Sequence, residues 1–203
     1  MHRHKSWLLI VPLVLLVLCA ATPAQKKETE GADEPENPAS AVITRAEITG
    51  MVEDKLGRFE MSLKVRSYTD EKTRTLLLPA DLAITGWSVR EGFFGPRAYI
   101  TRTGRGLELV LGDKGKFDVN LDFVLRVQDE KRGQSLTVPL LPALVARTDV
   151  TLPGKDLEVT AQPAMSMEST VHEGSTKVTI YGGDGEVTLN WQPKAPEKVL
   201  KPV

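Results

Sequence analysis

Phe117-Asp118-Val119-Asn120-Leu121-Asp122-Phe123-Val124-Leu125-Arg126-Val127 decides the fold. Every odd position is apolar, and Asp118, Asn120, Asp122 and Arg126 fill all but one of the gaps. Successive side chains of an extended chain point to opposite faces, so a period of two turns one face to a core and the other to water. The stretch is therefore a half-buried strand, long enough to cross most of a sheet. Phe59, Met61, Leu63 and Val65, separated by Glu60, Ser62 and Lys64, repeat the pattern. Shorter runs follow it: Leu107-Leu109-Leu111, Leu157-Val159-Ala161, Val178-Ile180 and Val187-Leu189-Trp191. Trp191, in step with Val187 and Leu189, is expected in the core. Beyond the amino-terminal apolar run, nothing spaces apolar residues three and four apart, so almost no helix is expected.

Turn chemistry separates these runs. The candidates are Asp54-Lys55-Leu56-Gly57, Gly104-Arg105-Gly106, Asp113-Lys114-Gly115, Glu130-Lys131-Arg132-Gly133 and Gly182-Gly183-Asp184-Gly185. The last lies between two apolar runs, where its glycines supply the positive φ of a tight hairpin. About ten to twelve strands are expected between Val42 and Gln192. Packed as two sheets, they make an antiparallel β-sandwich over residues 41–193. Leu77-Leu78-Pro79-Ala80 echoes Leu140-Leu141-Pro142-Ala143. The echo raises the alternative of two halves meeting near residues 135–145, with Pro79 and Pro142 at strand ends or edges. A membrane barrel is the rival all-β architecture, but the aromatics do not cluster at strand ends as interfacial girdles would.

Ahead of the strands, the chain begins with basic Met1-His2-Arg3-His4-Lys5. Apolar Trp7–Leu18, broken only by Pro12, follows, and then small residues up to Ala24. That order is a secretory signal peptide over residues 1–24, helical in its apolar part and cleaved after Ala24. Cys19 offers lipidation as an alternative, although Leu18 stands where lipoprotein signals carry a small residue. Residues 25–40, QKKETEGADEPENPAS, hold five acids and no large apolar residue, the composition of a disordered acidic spacer. Residues 194–203 form a Pro- and Lys-bearing tail, or a linker into a following region.

Charge narrows the function further. The whole chain has 26 Lys and Arg against 27 Asp and Glu, a formal net charge of -1. Without the signal and spacer the two signs balance, so no polyelectrolyte, nucleic acid included, is an expected partner. The sole Cys, Cys19, lies within the signal. Loss of the signal also removes His2 and His4 and leaves His172 alone. Zinc sites need Cys or His ligands at short spacings, and no calcium-loop pattern occurs, so no metal and no cofactor is expected. His172, followed by Glu173-Gly174-Ser175, reads as a surface residue at a turn rather than as the base of a catalytic triad. Asp118, Asn120 and Asp122 share one strand face. They are either a solvated face or the carboxylates of a carbohydrate-active site. Trp87, Phe93 and Phe94, in and beside a Gly- and Pro-flanked segment, are the candidate ligand-binding residues. Exposed aromatics stack on sugars or anchor a protein partner.

Leu136-Thr137-Val138-Pro139-Leu140-Leu141-Pro142, then Leu152–Val159, then Val187–Pro193 form a progression of style. It resembles uncharacterised exported β-domains of bacterial envelope proteins, over roughly residues 41–196. The resemblance implies no activity and assigns no functional residue. The expectation is a non-enzymatic module in the periplasm or secreted, acting in protein interaction or as a structural unit. It would touch the membrane only through the signal or a lipid on Cys19. The alternative is a carbohydrate-binding or carbohydrate-active protein, with an envelope polysaccharide in place of an envelope protein as partner.

Overall fold

The two alternating runs that announce the fold lie side by side in the computed structural model, which describes residues 40–91 and 97–195. β2 (Leu56–Ser67) and β7 (Gly115–Arg126), 12 residues each, pair antiparallel along their whole length, Leu56 opposite Arg126 and Ser67 opposite Gly115. β1 (Ala41–Glu53) reaches β2 through a two-residue turn in which Asp54 takes a φ of 53°. Asp tolerates that left-handed conformation better than most residues, and it matches the twist of the flanking strands. β4 (Ala83–Glu91) pairs with the free side of β7. Beyond β1 come β10 (Val145–Pro153), β13 (Ser175–Tyr181) and β12 (Met167–His172), giving a seven-stranded sheet in the order β12-β13-β10-β1-β2-β7-β4.

Two smaller sheets complete the sandwich. β11 (Leu157–Gln162), β14 (Gly185–Pro193), β9 (Gly133–Leu140) and β8 (Gln128–Glu130) form one, of four strands. β3 (Thr73–Pro79), β6 (Gly106–Leu111) and β5 (Ala98–Thr103) form the other, of three. The buried faces of all three sheets meet in one hydrophobic cluster. Phe59, Met61, Leu63 and Val65 of β2 and Phe117, Val119, Leu121, Phe123 and Leu125 of β7 enter it from the large sheet, each at most 4% exposed. Leu136 and Val138 of β9, Val187, Leu189 and Trp191 of β14, and Leu107, Leu109 and Leu111 of β6 enter it from the small sheets. The Phe59 and Phe123 rings stack at 5.5 Å between centroids. Gly50 makes room for them, because a Cβ there would collide with the Phe59 ring.

Three features depart from the alternation pattern. The described residues hold 14 strands rather than ten to twelve. The three residues of β8 are all exposed and β12 is exposed from Glu168 onward, so their neighbours' backbones hold them and no apolar pattern marks them. β1 and β10 run parallel, from Arg45 opposite Val145 to Met51 opposite Thr151. Parallel neighbours need a long connection, which residues 54–144 provide. Finally, Gly182-Gly183-Asp184-Gly185 is not a hairpin. β13 belongs to the large sheet and β14 to the four-stranded one, so the segment carries the chain between layers. Gly182, Gly183 and Gly185, at φ of 76°, 100° and 77°, make that change of direction in four residues.

Pro79 closes edge strand β3 and Pro142 follows β9, where neither is required to donate to a ladder. The expected signal, the spacer up to residue 39, the tail from residue 196, and Phe93 and Phe94 lie outside the described residues.

Candidate functional site

The large sheet buries one face only. On the other, the residues that alternate with the core stand in water: Arg58, Glu60, Ser62, Lys64 and Arg66 of β2, and Lys116, Asp118, Asp122 and Arg126 of β7. Register sets which charges meet. Glu60 lies directly opposite Asp122, and Arg66 directly opposite Lys116. Like charges directly across a strand pair are destabilising. Among the described residues neither carboxylate of the first pair makes an ion pair, and Arg66 finds only the face of Tyr68, 5.1 Å from its centroid. Between the two like pairs lie Ser62 opposite Asn120 and Lys64 opposite Asp118. Gly86 across from Asp122 leaves space for its carboxylate, which a Cβ would crowd at 2.7 Å.

Several other carboxylates, on this face and away from it, are compensated. Asp149 of β10 takes Thr179 Oγ1 at 2.7 Å, both Arg147 Nε and Arg147 Nη2 at 3.1 Å, and Lys177 Nζ at 3.1 Å. Burial pushes this carboxyl up, but the hydrogen bonds from Thr179, Arg147 and Lys177 outweigh it and hold the group below the ordinary carboxylate range. Asp129, beside Lys55, and Asp70, beside Lys114, are lowered by those hydrogen bonds. Glu108 of β6 is the carboxylate that alternation places in water and the fold buries, its side chain 1% exposed. Burial raises it, while Arg105, Thr103 and Arg74 around it lower it further still. Each of these shifts favours the ionised form, which accepts hydrogen bonds and donates no proton at neutral pH.

A second feature lies on the outer face of the four-stranded sheet, a hollow of about 450 Å³. Register puts Thr160 beside Asn190, and Glu158 beside Gln192, on the face opposite to Trp191. Gln192 Nε2 donates to Glu158 at 3.0 Å, and Ser135 Oγ donates to Glu130 at 3.1 Å on the far side. Lys131 and Arg132 complete the rim at the two-residue β8–β9 turn. Its amides and hydroxyls suit a neutral polar ligand. Nothing in the sequence pattern flags it, since its polar residues are ordinary outward positions of four strands and one turn.

Trp87, the aromatic candidate among the described residues, does not converge with the acidic ones. Trp87 is 55% exposed, on edge strand β4. It pairs with Leu121 and therefore projects to the inner side of the sheet. Asp118, Asn120 and Asp122 project to the outer side. Trp87 and these carboxylates consequently share no cleft. His172 ends β12 at the turn formed by Glu173 and Gly174, exposed, its carbonyl accepting from Ser175 Oγ at 2.7 Å. Trp191 is buried, as expected. Among the described residues no group of three or more His, Cys, Asp or Glu stands as a metal ion would require. Nor is any helix there long and apolar enough to cross a membrane.

No protein-family model matches the chain, and no curated protein matches it in sequence. Among solved structures it is similar to an M1 zinc metallopeptidase from Deinococcus radiodurans, at TM-score 0.46 and 11% identity, over 74% of this chain and 42% of that one. A variant of that enzyme bound to a Tyr-Ser-Ala substrate overlaps at TM-score 0.46 and 10% identity, over 75% and 43%. The chain thus spans less than half the length of these enzymes. A likeness of this size assigns it no activity, metal or substrate.

Proposed function

We propose that the chain is a non-enzymatic β-sandwich module, exported to the bacterial cell envelope, that docks a protein on the outer face of its large sheet. The uncovered pairs Glu60–Asp122 and Arg66–Lys116 carry this reading. Each costs stability in the isolated fold, and opposite charges on a partner would turn the cost into attraction. Export rests on the basic, apolar and small-residue order of residues 1–24, and on the resemblance to exported envelope domains. The module works in the periplasm or outside the cell, without a cofactor, and meets the membrane only through its signal or a lipid on Cys19.

The test is site-specific photo-crosslinking in intact cells from Ser62, at the centre of the outer face, and from Thr160, in the hollow. A discrete protein adduct from Ser62 is expected, and its absence overturns the reading. Export is tested apart, by the amino terminus of the native protein: Gln25 is expected, and Met1 overturns it. A second reading, polysaccharide binding, draws its support from the hollow, where Thr160, Asn190 and Gln192 offer hydrogen bonds to sugar hydroxyls. It predicts glycan adducts from Thr160 and none from Ser62.

A further inference from the structure

We infer that the partner of the outer face is a second copy of this chain, the two large sheets stacked face to face about a two-fold axis. The inference rests on the docking reading and names its occupant. Its basis is the order of charge along β2 and β7. The acidic pair Glu60–Asp122 and the basic pair Arg66–Lys116 sit on the same two strands, six residues apart along β2. At about 3.3 Å per residue the separation is about 20 Å. Midway between them lies the pair Leu63–Val119, whose side chains point into the core.

An axis in the interface plane, crossing the strands at the level of Leu63 and Val119, reverses the strand direction of the second copy. It lays Arg66 and Lys116 of each copy over Glu60 and Asp122 of the other. Both like pairs are neutralised at once, on both copies, which is the self-complementarity an isologous interface requires. Ser62 and Asn120 of one copy then meet Lys64 and Asp118 of the other, so the middle of the contact is polar and hydrogen-bonding. Without residues 1–24 the chain carries 24 Lys and Arg against 27 Asp and Glu, a formal net charge of only -3, so long-range repulsion between copies is small.

Size permits it as well. The seven strands of the large sheet run 6–13 residues, which at ordinary strand spacings makes a face of about 1,100 Å². Half of that face, covered on both copies, buries about 1,100 Å², just above the ~1,000 Å² of a specific interface. A contact made of exposed ion pairs is also sensitive to salt.

Sedimentation velocity on the natively processed protein decides the matter. A dimer is expected at micromolar concentration and low salt, dissociating in ~1 M salt, where the Debye length falls to about 3 Å. E60K sets the new ammonium of one copy against Arg66 of the other and should weaken the dimer tenfold or more. Adding R66E restores opposite charges across the axis and should recover most of the affinity. The double variant separates loss of contact from misfolding, because a folding defect is not repaired by a second reversal. A wild-type protein that stays monomeric overturns the inference, as does a dimer indifferent to E60K. If Ser62 crosslinks to a different protein while the chain sediments as a monomer, docking stands and the second copy is excluded.

Discussion

Replacing Glu60 by Lys should make the isolated fold more stable. In the wild type, Glu60 faces Asp122 across the β2–β7 pair, and among the described residues no cation bonds either carboxylate. The substitution turns a repelling cross-strand pair into an attracting one. Such pairs contribute about 0.2–1 kcal/mol each, so losing the repulsion and gaining the attraction amounts to about 1 kcal/mol. Arg58, two positions back on the same face, takes away part of that gain. For a domain of this size a gain of about 1 kcal/mol is a rise of about 2–4 °C in Tm. The assay is thermal unfolding of dilute protein, where self-association adds nothing, at low salt and again near ~1 M. The gain should shrink at high salt as the charges are screened. A lower or unchanged Tm at low salt would show that Glu60 and Asp122 do not repel across the strand pair, and so would a gain that ignores salt.

Further expectations concern the core, the compensated charges and the exposed indole. Gly50→Ala should cost about 1–3 kcal/mol by overpacking, because its Cβ would enter the Phe59 ring. Phe59→Leu should absorb most of that cost in a double-mutant denaturation cycle. Asp149→Asn should destabilise by about 2 kcal/mol near neutral pH, as charge-assisted hydrogen bonds to Arg147 and Lys177 are lost. The Asp149 carboxyl is held below its ordinary value in the folded state. Its contribution is therefore complete above the unfolded value of about 3.9 and disappears as pH falls through the lower folded value. Urea melts of both proteins from neutral to acid pH should accordingly converge. Trp87→Ala, at a residue 55% exposed on an edge strand, should cost less than about 1 kcal/mol in the same melts. A loss above ~2 kcal/mol would show that the indole packs as core.

The two strands at the centre of the large sheet could be read directly, because Phe59–Val65 and Phe117–Val127 bury one face each and repeat every second residue. Elements whose position depends on distant chain could not. β8 and β12 bury almost nothing of their own, and only the neighbouring backbone makes them strands. The glycines at 182–185 indicate a reversal, but not whether it closes a hairpin or changes layers, since both use the same left-handed conformations. Glu108 sits in an apolar alternation that assigns it to water. Arg74, Arg105 and Thr103, brought from neighbouring strands and a turn, make its burial tolerable. The outer face was visible as a set of polar residues. Its pattern emerged only with register, which alone puts Glu60 opposite Asp122 and Arg66 opposite Lys116. Trp87 shows the converse limit, because an aromatic beside a Gly-rich segment does not disclose which side of the sheet it takes.

If the outer face of the large sheet docks a partner, it is covered when the protein is at work. Carbodiimide labelling of carboxylates measures this, with Glu60 and Asp122 reporting on that face and Glu158 on the four-stranded sheet. Labelling is compared between the envelope fraction and dilute purified protein in high salt. Docking predicts several-fold lower modification of Glu60 and Asp122 in the envelope fraction, with Glu158 unchanged. Equal labelling of all three in both states would contradict it.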